Sequence, residues 1–274
     1  MATIPYLHGY STQEQRRLRQ QARTFAPLLH RDLHFPAGTR LLEVGCGVGA
    51  QTALLLKRQP RLRITAIDRS ALHLAAARHF FRRHPALTGG GLKFLQVDAT
   101  DLPLDSGTFD AALCVWLLEH VPDPLAILRE IHRVLRPGGR LHLREVFNAS
   151  LYIRPRSSAL EKYWAAYNDL QSALGGNPDI GPHLGNLLRA AGYRDIRLAP
   201  EPIWLDRRRP ALLRHWLEYW EELMLSGVPS LLAHHRVTPR LVAGVKWEFT
   251  RLRADPETVF YFAPVFGEAV RWGG

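Results

Sequence analysis

Apolar and polar positions along this chain follow two rhythms. Across Thr12–Leu29, Leu18, Ala22, Phe25 and Leu29 recur at helical spacing and lay one apolar stripe along a polar segment. Ser11 or Thr12 can cap its start, with Glu14 or Gln15 reaching back. Beyond residue 40, short apolar runs of strand length take over at residues 41–44, 64–68, 92–97, 109–115 and 140–146. Helix-patterned stretches lie between them at residues 50–58 and 124–135. Strands alternating with helices predict a doubly wound α/β sheet. Further on, residues 183–191 predict a helix that Gly192 stops. Residues 193–199 then read as a sixth strand and residues 258–264 as a last one. The segments between, 147–181 and 201–254, read as interruptions of helical character.

The junctions carry the chemistry. The first strand runs into Gly45-Cys46-Gly47-Val48-Gly49, and a helix opens directly behind. Glycine lets the backbone turn tightly and a ligand approach with no Cβ in the way. A helix N-terminus points free N–H groups at whatever sits there. Such a turn suits a nucleotide-like cofactor at the carboxyl end of the first strand. Gly45-x-Gly47-x-x-Ala50 also satisfies the dinucleotide spacing, with Asp68 where a ribose-binding acid belongs, so NAD stays open on this loop alone. Asp68 ends the second strand and can accept from both ribose hydroxyls. Asp98 follows the third and can accept from an exocyclic amine such as adenine N6.

Together, Glu43-x-Gly45-x-Gly47-x-Gly49, Asp68, Asp98-Ala99, Phe109-Asp110, Leu118-Glu119-His120-Val121 and Arg136-Pro137-Gly138-Gly139 resemble class I S-adenosylmethionine-dependent methyltransferases. The match is in order and in spacing, over roughly residues 35–200. The resemblance implies a Rossmann-like, seven-stranded sheet whose last strand inserts antiparallel between the fifth and sixth. It implies S-adenosyl-L-methionine as cofactor, with Glu43 near its methionyl ammonium, Asp68 on the ribose and Asp98 on the adenine. Tyr10, Gly45, Cys46, Gly47, Gly49, Arg69, Ala99, Trp116 and Leu117 complete the implied donor site. His120 is the candidate general base, with Glu145 at the rim and Tyr10 as further catalytic candidates. His8, His183 and Tyr152 are lesser rim candidates.

The opening Tyr6-Leu7-His8-Gly9-Tyr10-Ser11, with the long interruptions, is similar to small-molecule methyltransferases of microbial secondary metabolism. That implies methyl transfer to N, O or C of a small organic acceptor. RNA or protein methylation and NAD-dependent oxidoreduction stand as alternatives. In this reading residues 1–34 are a helical arm or lid and 35–200 the cofactor-binding core. Residues 201–274 are a helical insertion and final strand of the same domain. The arm, through Tyr6 and Tyr10, is expected to close over the site. Trp204, Trp216, Tyr219, Trp220, Met224 and Trp247 are expected to complete the pocket wall.

Composition changes this picture little. The 274 residues suffice for one α/β core with additions. Net charge is +11, nearly all of the base being Arg. Arg16-Arg17, Arg82-Arg83 and Arg207-Arg208-Arg209 are separated clusters without a continuous stripe, which argues against a nucleic-acid partner. Two cysteines, Cys46 and Cys114, imply no disulfide framework. No Cys/His metal spacing, membrane-length apolar run or secretory signal is present, so a cytosolic protein is expected. Pairing of two copies is left open.

Overall fold

The computed structural model describes residues 7–88 and 91–273. Tyr6 lies outside them. Helix α1 (Thr12–Leu29) starts where expected, with Ser11 Oγ accepting from Glu14 N at 3.1 Å. Then β1 (Arg40–Val44), α2 (Ala50–Arg58), β2 (Arg63–Asp68), α3 (Ala71–Arg83), β3 (Leu92–Gln96), β4 (Phe109–Val115), α4 (Pro124–Val134) and β5 (Leu135–Glu145) alternate. Side chains cap α3 and α4 where short polar residues precede an apolar stripe, Ser70 on His73 N and Asp123 on Ala126 N.

The second half adds β6 (Tyr152–Arg154), α5 (Ser158–Ala173), α6 (Ile180–Ala190), β7 (Tyr193–Pro200) and β8 (Ile203–Leu205). Helices α7 (Pro210–Ser226), α8 (Val228–Ala233) and α9 (Pro239–Ala254) follow, then β9 (Val259–Phe262) and β10 (Val265–Arg271). The main sheet runs β3-β2-β1-β4-β5-β10-β7. Strands β1 to β5 pair in parallel, and β10 lies antiparallel to both β5 and β7. This is the seven-stranded arrangement with a reversed last strand that the resemblance implies.

Three expectations need correction. The reversed strand is residues 265–271, and the run at 258–264 holds β9 of a separate three-stranded sheet, ordered β6-β9-β8. Both runs are apolar, and Gly267 blurs the strand signal of the second. A Cβ at that glycine would stand 2.9 Å from Leu198 Cδ2. The segment 201–254 is not purely helical, since it contributes β8. The fifth strand, expected at residues 140–146, starts at Leu135 and takes in Arg136–Gly139 as an irregular beginning.

The core on one side of the sheet carries α4, α5, α7 and α9 residues in one continuous apolar cluster. Trp216, Tyr219 and Trp220 of α7 belong to it, each buried and ring-packed with Phe25 or Phe260. Trp204 and Trp247 are mostly exposed. The expected aromatic pocket wall from this region is therefore core and surface, and only Leu223 of α7 reaches the cavity described next.

Candidate active site

A cavity of ≈ 410 Å³ opens at the carboxyl ends of β1, β2, β3 and β4. That is the point where strand order reverses and where open α/β sheets hold ligands. Its first wall is the glycine loop. Gly47 has φ +52°, and a Cβ built there meets nothing closer than Leu18 Cδ1 at 4.0 Å. The missing side chain is thus space kept open toward the cavity. Asp68 braces the loop, Oδ2 accepting from Gly47 N and Oδ1 from Ser70 N, both at 2.8 Å. A carboxylate offers about four lone-pair sites, so bonding to the backbone does not exhaust it. Asp98 uses Oδ1 for the backbone and hydroxyl of Thr100, and its pKa is lowered chiefly by the Thr100 backbone bond. Asp98 and Ala99 line the wall with Arg69, Cys46 and Gly45.

Helix α1 roofs the cavity with Arg17, Leu18, Gln21 and Ala22. Arg17 is buried and bidentate to Glu14, Nε to Oε2 and the terminal nitrogen to Oε1, both 2.7 Å. A buried guanidinium demands such a partner. The four positions 14, 17, 18 and 21 share one helix face, a spacing that the sequence displayed without revealing its purpose. Tyr10 lies on the wall with its ring 5.0 Å from that of His73. Trp116, at φ +51°, and Leu117 close the side after β4, with the Trp116 ring against Phe25.

The far end is formed by His120, His8, Glu119, Asn148, Trp164 and Tyr167. Trp164 and Tyr167 of α5 stack at 5.0 Å and 19°. Gln171, one turn on, gives its two amide protons to three acceptors. These are the Glu119 carbonyl at 3.2 Å, the Glu119 carboxylate at 2.8 Å and His120 Nδ1 at 3.4 Å. His120 Nε2 lies 3.5 Å from Glu119 Oε1. Burial, opposed by Glu119, lowers the His120 pKa. The loop after α5 clamps this turn, because Asn177 N donates to the Glu119 carbonyl at 2.8 Å. Gly176 permits the approach, since a Cβ there would stand 2.3 Å from that carbonyl. The positions 164, 167 and 171 fall on one face of α5, within the segment that reads as helical.

Three expected site residues stand off the wall. Glu145 does not face the rim. It is fully buried, and Oε1 accepts from the backbone N–H groups of Leu117 and Leu118 at 3.1 and 3.0 Å. Burial pushes its pKa up to about 8. It holds the turn that carries His120 rather than touching a ligand. Glu43 lies beneath the loop, accepting from Thr52 Oγ1 at 2.6 Å, its pKa pushed by burial up to about 7. Gly49 packs on α3, where a Cβ would stand 3.0 Å from Phe81. Of the lesser candidates, His8 is on the wall, while His183 and Tyr152 are exposed away from it. Among the described residues no group of three or more His, Cys, Asp or Glu could hold a metal, and no helix is long and apolar enough to cross a membrane.

A cleft of this kind stands where open α/β sheets hold ligands, and comparison with known proteins narrows the class. Residues 42–143 match the family described as Methyltransferase domain. The chain carries a class I S-adenosylmethionine-dependent methyltransferase fold. The ubiquinone biosynthesis O-methyltransferase of Xanthomonas axonopodis pv. citri is 38% identical over 135 residues, which are 48% of this chain and 51% of that protein. The chain spans about half the length of the curated relatives it matches. Among solved structures, phosphoethanolamine N-methyltransferase 2 of Haemonchus contortus superposes with TM-score 0.56 at 19% identity, over 91% of this chain and 53% of that one. The cyclase SpnF does so with TM-score 0.54 at 24% identity, over 93% and 81%. These two likenesses establish the fold.

Proposed function

We propose that this protein transfers the methyl group of S-adenosyl-L-methionine to a hydroxyl oxygen of a small, flat organic molecule. The observation that carries the reading is one cavity with two unlike ends. One end is an open glycine cradle with Asp68 and Asp98, and the other is a chamber rich in rings, with His120, His8, Trp164 and Tyr167. The cradle suits the donor: the vacant Cβ position of Gly47 is the space a ligand would take, and Asp68 and Asp98 line the same cavity, where they would serve ribose and adenine. Tyr10, Arg69, Ala99, Trp116 and Leu117 would enclose it. When bound, the donor supplies a methyl already activated by a positive sulfur.

The chain's own task is alignment and exclusion of water. Helix α1 covers the cavity, and the stacked Trp164 and Tyr167 offer a flat apolar face to an aromatic acceptor. His120 is assigned to the acceptor oxygen as a hydrogen-bond partner. The relatives named for O-methylation support oxygen as the receiving atom. A place in microbial secondary metabolism has no support beyond the opening motif. Calorimetry with S-adenosylmethionine and NADH, then mass spectrometry of reactions offered a phenol, an aniline and a short RNA, tests the reading. Binding of the sulfonium with methylation of the phenol is expected. Tight NADH binding, or methyl found only on the RNA, would sink it.

A further inference from the structure

The far end of the cavity holds a second histidine whose protonation pattern the geometry determines. His8 Nδ1 lies 2.6 Å from Ser226 Oγ. The Ser226 hydroxyl proton is committed elsewhere, since Ser226 Oγ donates to the Leu223 carbonyl at 2.7 Å. A hydroxyl has one proton, so toward His8 it can only accept. His8 therefore carries its proton on Nδ1. Its Nε2 is left as an acceptor, and it receives the Tyr167 hydroxyl at 2.9 Å. The serine thus fixes a tautomer whose basic nitrogen faces a phenol on the cavity wall.

We propose that Tyr167 is a catalytic residue and His8 its positioning partner, together forming the path by which the acceptor hydroxyl loses its proton. The proposal rests on the hydroxyl-methylating reading above. The acceptor O–H donates to Tyr167 Oη. As that oxygen bonds the methyl carbon, the carbon–sulfur bond breaks with its pair on sulfur. The acceptor O–H bond breaks with its pair on oxygen. Its proton passes to Tyr167 Oη while the phenol's own proton passes to His8 Nε2. His8 ends as imidazolium, still donating through Nδ1 to Ser226, and returns its proton to water after product leaves.

Two further observations agree. Burial, then Arg17 and His120, hold the His8 pKa well below the ordinary imidazole value, so the ring starts neutral while Nε2 holds the Tyr167 hydroxyl. A weakly basic imidazole is adequate here, because an oxygen that has gained a carbon while keeping its proton is a strong acid. The ring of His8 also stands edge-on to that of His120 at 6.2 Å, so both flank the same end of the cavity. One oxygen can then be oriented by one histidine and relieved of its proton through the other.

The test uses the full chain with two probe acceptors, phenol and 4-nitrophenol. Phenol keeps its proton to about pH 10, as tyrosine does. The nitro group drains charge from the oxygen and leaves 4-nitrophenol ionised under mild conditions, so it needs no proton acceptor. Tyr167→Phe keeps the ring that stacks on Trp164. It is expected to lower kcat on phenol at least about tenfold, with KM within about twofold, and to leave 4-nitrophenol nearly unchanged. Equal losses on both acceptors, or none, would overturn the relay, as would the same acidity-dependent loss appearing in His120→Asn instead. Independently of turnover, nitrogen NMR of the labelled protein should show His8 as the Nδ1–H tautomer, and Ser226→Ala should release it. An Nε2–H tautomer in the wild type overturns the proposal. If the wild-type protein methylates neither acceptor, the hydroxyl reading falls first and takes the relay with it.

Discussion

At the scale of single residues, several groups serve the loop and the site at once. Asp68 both bonds the backbone of Gly47 and Ser70 and faces the cavity. Charge-assisted bonds are each worth about 1.5–3 kcal/mol. Asp68→Ala is therefore expected to raise the donor Kd by about 10- to 100-fold in calorimetry while the fold survives. An unchanged Kd in a folded variant would remove Asp68 from the site.

Glu145 gives a pH signature of the opposite kind, in stability. Its pKa rises from the ordinary 4.5 to about 8 because it is buried. Between those values the native chain holds a proton that the unfolded chain has released. The associated stability is full below the lower value and is lost as pH rises through the upper one. Urea unfolding over that range should show a steeper fall for wild type than for Glu145→Gln. Glu43, pushed up to about 7, contributes the same sign and remains in both proteins, so the difference isolates Glu145. Parallel pH dependences would show that Glu145 is ionised throughout.

At the scale of elements, two helices from outside the alternating pattern finish the site. Helix α1 is tied down by Arg144, whose Nε donates to the Leu29 carbonyl at 3.4 Å, and by packing of Phe25 into the core. Helix α5 brings Trp164, Tyr167 and Gln171 to the far end. Deleting residues 1–10 keeps the Ser11 cap but removes His8 and Tyr10 from the wall. Turnover on a phenolic acceptor is expected to fall at least about tenfold, or about 1.4 kcal/mol of transition-state stabilisation. The fold should persist, because the main sheet begins at Arg40. Full turnover by the folded truncation would assign closure of the cavity to α1 and α5 alone.

At the scale of the whole molecule, both cores meet at the sheet whose carboxyl edge forms the cavity, so ligand and fold are linked. A ligand that binds only the native chain stabilises it by about 2.7 kcal/mol at about 100 times its Kd. S-adenosylhomocysteine at that excess should raise the melting temperature by several degrees, and NADH should not. A melting point moved by NADH alone would contradict the cradle's assignment.

The local features of the chain settle much of this. The spacing of Leu18, Ala22, Phe25 and Leu29 gives α1, and the apolar runs give β1, β2 and β4 within a residue of their observed ends. The glycine loop, Asp68 and Asp98 are legible because steric freedom and a carboxylate at a strand end are properties of neighbouring residues. Tertiary structure decided the rest. Which of two apolar runs enters the main sheet is settled by pairing of residues 265–271 with β5 and β7, strands distant in sequence. Glu145 is identical in composition to a rim carboxylate, and only the two backbone N–H groups that it receives make it a buried brace. His8, Tyr167 and Ser226 are separated by well over a hundred residues from first to last. No periodicity links them, because a hydrogen bond across the fold leaves no trace in the pattern of either segment.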